Sequence, residues 1–202
     1  EPADELAKLG LPVLEKADTS HGHIIQATEA ILGGWGAYGW GGVQAYDYKM
    51  AIVDYGVVRL SHTISKGAQD ITLSIARSLG VPFAKAEEIK RQVGLVETVD
   101  GERVTGLMST IIEYIFSEVT KVLTIYQRKQ GRAISKIVLI GGGALLKGLL
   151  DVAGRSFEVP VAIGNPFAQV EYPAFLESVL KSSGPGFAAA MGLALRELEE
   201  LG

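Results

Sequence analysis

Not one cysteine occurs among the 202 residues. Disulfide staples, thiolate zinc sites and cysteine nucleophiles are thereby excluded, and the composition fits a reducing compartment. No long hydrophobic run is present either. The longest nearly uninterrupted apolar stretch, Phe187–Leu195, reaches about half the length that a membrane-spanning helix needs. Nor is there an excess of one charge. Lys and Arg number 19 against 23 Asp and Glu, a net charge of -4, so no bulk field draws the chain to nucleic acid or anionic lipid. The N-terminus, Glu1-Pro2-Ala3-Asp4-Glu5, lacks the basic-then-apolar order of a secretory signal. Disorder is excluded by a hydrophobic share of 48% with 21% charged residues, which is ordinary globular usage. A chain of this length buries roughly 70% of its unfolded surface and holds a real core.

Glycine is the residue in surplus, 25 in all, about 12% against a usual ~7%. Six of them, with both tryptophans, fall in Gly33–Gly42. Such a density costs too much backbone entropy for a helix, so this is a loop or an irregular strand edge. It is either a mobile surface loop or a segment pinned by its two Trp rings. On either side, the apolar spacing predicts helices over Ala3–Leu9 and His23–Leu32, the second capped by Thr19 or Ser20. A hairpin follows, Lys49–Val53 and Val57–Ile64 about an Asp54-Tyr55-Gly56 turn. Next come a helix Gln69–Leu79 stopped by Gly80, and a helix Phe83–Val93 opened by Pro82 and ended by Gly94. After a polar loop, Met108, Ile111, Ile112, Ile115, Val119, Val122 and Tyr126 step by three and four along a helix from about Thr105 to Lys129. A buried strand Ile137–Ile140, a helix Leu145–Ser156 and a strand Val159–Ile163 follow. A final helix, Gly186–Leu201, has Phe187, Ala190, Met191, Ala194, Leu198 and Leu201 as its inner stripe. This order predicts an α/β layered domain and, with no 20–50-residue repeat, excludes a solenoid.

Chemistry concentrates at Gly141-Gly142-Gly143, between a buried strand and a helix. Glycines let a ligand approach the backbone, free amides at a helix start favour an anion or polar group, and open α/β sheets bind ligands at the carboxyl ends of strands. The alternative is a tight turn with no ligand. Neither common phosphate-loop pattern is present. A second feature is Ala86–Gly94, where Glu87 shares a helix face with Lys90 and Arg91. It is either a solvated ion-paired face or part of a site. His21, His23 and His62 complete no metal set, and no G-x-S-x-G supports a hydrolase triad.

Taken in order, Ile52–Gly67 with Asp70-Ile71-Thr72, Ala86–Lys90 with Gly94-Leu95, Gly141–Leu149, Val159-Pro160-Val161, Asn165-Pro166-Phe167 and Phe187–Leu195 resemble the C-terminal half of an actin-like ATPase. The similarity is to the PilM family of type IV pilus assembly, with FtsA of cell division as a relative. It covers about residues 50–198 well and 1–49 poorly. The resemblance implies an α/β actin-like (ribonuclease H-like) lobe with a mixed sheet flanked by helices. Residues 1–48 would be a divergent N-terminal segment carrying the Gly/Trp-rich loop (33–42), and 49–202 the actin-like C-terminal lobe.

That family holds ATP, with Mg²⁺, between two lobes. By resemblance Gly141, Gly142, Gly143 and Ala144 line the adenosine, Glu87 and Lys90 reach it from the other side, and Gly67 belongs to the same set. Two departures are expected. The family's first lobe, with its phosphate loop and its groove for the PilN tail, has no counterpart in this chain. The Asp, Gly and Thr of the second phosphate loop fall on Gly42, Gln44 and Tyr48, with Asp47 one place off. The carboxylate and hydroxyl that order Mg²⁺ and water are therefore missing. The resulting expectation is a cytoplasmic scaffold with an incomplete ATP site and little hydrolysis of its own. It would be held near the inner membrane by a PilN-type partner, with self-association and no direct insertion. The alternatives are an FtsA-like filament subunit, disfavoured by the acidic Glu199-Glu200 end, and an active ATPase completed by another chain.

Overall fold

Tyr48, Met50 and Ile52 occupy alternate positions of one strand and all are buried, so one face of that strand carries the core. A computed structural model describes residues 23–29, 48–54, 57–96, 101–168 and 170–200. Among them, β1 (His23–Glu29), β2 (Tyr48–Asp54), β3 (Val57–Ile64), β4 (Lys136–Ile140) and β5 (Val161–Ile163) form one mixed sheet in the order β3-β2-β1-β4-β5. The β2–β3 and β1–β2 pairs are antiparallel, β1–β4 and β4–β5 parallel.

The helices are α1 (Ala68–Leu79), α2 (Phe83–Val93), α3 (Glu102–Gln130), α4 (Leu149–Ser156), α5 (Glu177–Ser183) and α6 (Ala188–Glu200). In the stripe of α3, Met108, Ile112, Ile115, Val119 and Tyr126 are buried as the spacing predicts, Ile111 and Val122 are half-buried against the core, and Val104, Phe116 and Leu123 join it. These side chains share one core with Ile71 and Ile75 of α1, Ile137 and Leu139 of β4, and Leu149 and Ala153 of α4. On β4 the alternate residues Val138 and Ile140 are buried too. Gly164 closes over them, since a Cβ there would come within 2.5 Å of Ile140 Cγ2 and 3.1 Å of Val138 Cγ1. Both faces of β4 are therefore covered, as its unbroken apolar run requires.

Several sequence expectations need correction. The helix expected over His23–Leu32 is not formed at His23–Glu29. Its first seven residues are β1, paired on both sides, and that pairing overrides a partly helical spacing in a segment with β-branched Ile24, Ile25 and Thr28. The sheet thus takes one strand from within residues 1–48. The helix expected from Leu145 begins at Leu149, because Gly148 sits at φ 79° and breaks any helix through it. Residues Gly142–Leu145 form a 3₁₀ turn instead. Strand β5 starts at Val161, just past Pro160, which has no N–H to give a ladder. The long helix starts at Glu102, three residues early. The C-terminal helix begins at Ala188 after a 3₁₀ turn, Gly184–Phe187, and turns a different face inward. Ala188 and Gly192 are buried, whereas Phe187, Ala190, Ala194 and Leu198 are exposed. The first eight residues of that helix, Ala188–Leu195, are all apolar or glycine, so periodicity cannot choose between its stripes. The helix expected over Ala3–Leu9, the Thr19 and Ser20 caps, the Ala30-Ile31-Leu32 end of the second expected helix, the Gly33–Gly42 segment and Leu201 lie outside the described residues.

Candidate nucleotide site

Strand register fixes which loops share an end of the sheet. Ile64 lies opposite Tyr48, Tyr48 opposite Glu29, and Thr28 opposite Ile140. The chain therefore leaves β3 toward Gly67, and β4 toward Gly141, at the same end. Gly67 is the N-cap of α1 and is buried. Its N–H donates to Asp70 Oδ2 at 2.9 Å, and Lys66 Nζ pairs with Asp70 Oδ1 at 3.1 Å.

One turn into α1, Thr72 is fully buried and meets α2. Its hydroxyl lies 2.6 Å from Glu87 Oε2 and 3.0 Å from Ala68 O, one proton facing two acceptors. The Lys90 side chain is only 9% exposed. Its ammonium pairs with Glu87 Oε2 at 2.8 Å and donates to Thr72 Oγ1 at 3.1 Å and Ala68 O at 3.2 Å. An ammonium has three protons, and each has a protein acceptor. Glu87 also accepts from Arg91 Nε at 2.9 Å through its other oxygen. Lys90 is thus held inside, whereas the Arg91 side chain is 77% exposed. Burial pushes the Glu87 carboxyl up, but hydrogen bonds from Lys90 and Thr72 and the Lys90 charge outweigh it. The net result is a value below the ordinary glutamate range.

The other end of α2 docks beside the glycine turn. Leu95 N–H donates to Lys147 O at 2.7 Å, and Lys147 Nζ donates to Gln92 O at 3.0 Å. Gly94, at φ 66°, has no room for a Cβ, which would stand 2.5 Å from Lys147 Cβ. The turn itself is held from a third side. Gly141, at φ 87°, donates its N–H to Pro185 O at 2.8 Å. Gly143 and Ala144 are buried and Gly142 is exposed. Gly141 O and Gly143 O accept from Ala144 N and Leu146 N, each at 3.1 Å. Helix α2 thus joins the two groups of sequence-predicted residues. Glu87 and Lys90 lie at the Gly67–Ala68 end, and the Gly141–Ala144 turn is reached through Gln92–Leu95. Sequence reasoning did not place Thr72 in the site, although Asp70-Ile71-Thr72 lies within the resembling segment. Of the expected phosphate-loop positions, Gly42 and Gln44 lie outside the described residues, and Tyr48 is the buried first residue of β2.

A mixed five-stranded sheet with this order, an entering β-hairpin and a glycine turn after the parallel central strand defines the class: the chain has the actin-like ATPase fold. Solved structures agree. A chain of the PilM-PilN type IV pilus biogenesis complex superposes with a TM-score of 0.72 at 21% identity, over 96% of this chain and 51% of that one. MreB5 of Spiroplasma citri bound to ADP gives 0.62 at 15%, over 98% and 59%. Ethanolamine utilization protein EutJ from Carboxydothermus hydrogenoformans gives 0.57 at 16%, over 96% and 53%. The model of the family described as type IV pilus assembly protein PilM matches residues 42–198, and this chain belongs to that family. A search of curated proteins returns no match. The chain spans about half the length of the PilM and EutJ structures, at 51% and 53%. No described helix is long and apolar enough to cross a membrane.

Proposed function

We propose that this chain is an actin-like, nucleotide-binding scaffold of type IV pilus assembly, acting on the cytoplasmic side of the inner membrane through a PilN-type partner. The observation that carries the nucleotide reading is the Thr72–Glu87–Lys90 network, tied by α2 to the glycine turn at the same end of the sheet. A turn of three glycines presents backbone without Cβ atoms to a flat base. A carboxylate offers about four lone-pair sites. Lys90, Thr72 and Arg91 take three at Glu87, which leaves acceptor capacity for a ribose hydroxyl or an exocyclic amine. Lys90 serves this site through Glu87, since its own protons point inward. Gly67 supports it as the cap of the helix that carries Thr72. When bound, ATP with Mg²⁺ would bring the phosphates whose hydrolysis the fold supports elsewhere. In this chain Gly42 falls where the resemblance expects the carboxylate, and Tyr48, a buried phenol, where it expects the threonine hydroxyl. Loss of such charge-stabilising groups costs orders of magnitude in rate, so hydrolysis by the chain alone is slow.

The test is a titration with ATP and Mg²⁺, following melting temperature and phosphate release together. A ligand that binds the native state must raise its melting temperature. The expected result is a rise at millimolar nucleotide with little phosphate released. No rise would remove the nucleotide and leave a pure scaffold, and brisk turnover would overturn the incomplete site. A second reading is an ATPase completed by another chain or a second copy. In that case turnover per molecule would climb with protein concentration.

A further inference from the structure

The opposite end of the sheet holds a second, chemically different site. Asp54 ends β2, facing Val57 across the hairpin and His23 on β1. It is separated from Tyr48 by a seven-residue strand, or about 20 Å. A polar pocket of about 300 Å³ opens there, lined among the described residues by Asp54, Arg59, Tyr126, Gln130 and Arg132. These come from three places: the hairpin, the last turns of α3 and the loop into β4.

Charge is distributed unequally in it. Arg132 Nη1 donates to Asp54 Oδ2, and Arg59 Nε stands 3.8 Å from the same oxygen. Asp54 itself is 4% exposed. Two guanidinium groups thus converge on one buried carboxylate. Both remain open to solvent, the Arg59 side chain at 48% and Arg132 at 45%. At 3.8 Å the Arg59 contact is an ion pair without a hydrogen bond, so the donor fork of Arg59 is not spent on Asp54. A guanidinium carries five N–H donors in a planar fork that matches the oxygens of a carboxylate or phosphate. Tyr126 is buried beside them, and burial, followed by the Asp54 charge, pushes its pKa up. Asp54 therefore anchors the arginines, and both line the cavity.

We propose that this pocket binds a small oxyanion, a phosphate or carboxylate group, held by Arg59 and Arg132. The pocket lies at the lower end of the size range of small-molecule sites, large enough for the anion with a short organic portion. The proposal is independent of the nucleotide reading, because the two sites sit at opposite ends of the strands.

The test uses the 202-residue chain, with inorganic phosphate and with succinate as separate probes. Both are titrated at constant ionic strength set with sodium chloride, reading melting temperature and heat of binding. A rise with phosphate alone identifies a phosphoryl ligand, a rise with succinate alone a carboxylate, and either supports the site. Arg59→Gln, a half-exposed side chain without a hydrogen bond to Asp54, should keep the fold and weaken binding of the effective probe at least tenfold. Arg132→Lys keeps the charge on Asp54 but loses the fork, and should weaken it as well. Absence of any response in the wild-type chain overturns the proposal. So does a response that Arg59→Gln leaves unchanged.

Discussion

Gly94 and Lys147 touch where a Cβ on the first would lie 2.5 Å from the Cβ of the second. The contact joins the end of α2 to the segment just past the glycine turn, and Gly148 repeats it from the other side, its own virtual Cβ 3.1 Å from the Leu95 carbonyl carbon. Two backbone segments pass at a distance that only glycine permits. Gly94→Ala should therefore suffer twice, from the left-handed φ and from the clash. Gly80 is a control with the same φ of 66° and nothing within 4 Å of its virtual Cβ. A left-handed alanine costs roughly 1–2 kcal/mol, and forced overpacking about 1–3 kcal/mol more. Urea unfolding should rank Gly94→Ala below Gly80→Ala by at least the second amount, and equal stabilities would show that the contact is slack.

Thr72→Val keeps the volume at a fully buried site and removes the hydroxyl shared by Glu87, Lys90 and Ala68. Losing a buried partner of charged groups costs about 1–3 kcal/mol. If Thr72 also aims Glu87 at a ligand, the variant should lose more nucleotide-induced stabilisation than its lower baseline explains, while Thr72→Ser restores it. An intact nucleotide shift in Thr72→Val would confine the residue to holding α1 against α2.

Acid should weaken the same junction. The Glu87 carboxyl sits below its ordinary value of 4.5 in the folded chain. Its contribution is therefore complete above the unfolded value and disappears as pH falls through the lower folded one. Wild-type stability should drop more steeply than that of Glu87→Gln as pH falls below about 4.5. Parallel curves from denaturant titrations at several pH values would contradict the ion-paired arrangement.

Gly142→Val places a branched side chain on the exposed member of the turn. Its backbone is not among the left-handed glycines Gly80, Gly94, Gly131, Gly141 and Gly148, so the fold should survive. The nucleotide-dependent rise in melting temperature should vanish. A rise of wild-type size would put the ligand elsewhere.

Within the core, Ile112→Ala should cost about 2–5 kcal/mol, because Ile112 is 1% exposed on the sheet-facing side of α3. Ile125→Ala on the outer side, 52% exposed, should stay within about 0.5 kcal/mol. Chemical denaturation distinguishes the two, and comparable losses would mean that α3 is rotated from the face described.

The legible parts of the sequence were those that local chemistry decides. Helices α1 and α2 end where Gly80 and Gly94 allow a positive φ, the Asp54-Tyr55-Gly56 signal falls between β2 and β3, and α3 shows seven apolar positions at regular spacing. The glycine turn and the Glu87–Lys90 pair could be read as candidates for the same reason. What stayed hidden depends on distant partners. Thr72 lies 15 residues from Glu87 and 18 from Lys90, so no window shows their meeting. Gly148 reads as part of a helix until Leu95 is known to press against it. Asp54 reads as a turn residue, and only the arrival of Arg132, 78 residues on, reveals it as the anchor of a cationic pocket. The strand character of His23–Glu29 is set by its two neighbours in the sheet rather than by its own spacing.

That last strand decides when folding can finish. Ile24 aligns with Lys136, so a nascent chain cannot seat its middle ribbon until more than a hundred further residues have been synthesised. A protein trimmed to begin at residue 42, where the family match starts, would lose β1 and leave β2–β3 and β4–β5 joined only through the helical core that they share. Paired strands of that size are marginal in water without a third strand or a helix to pack on. The region by which the family is recognised thus leaves out the central strand of the sheet.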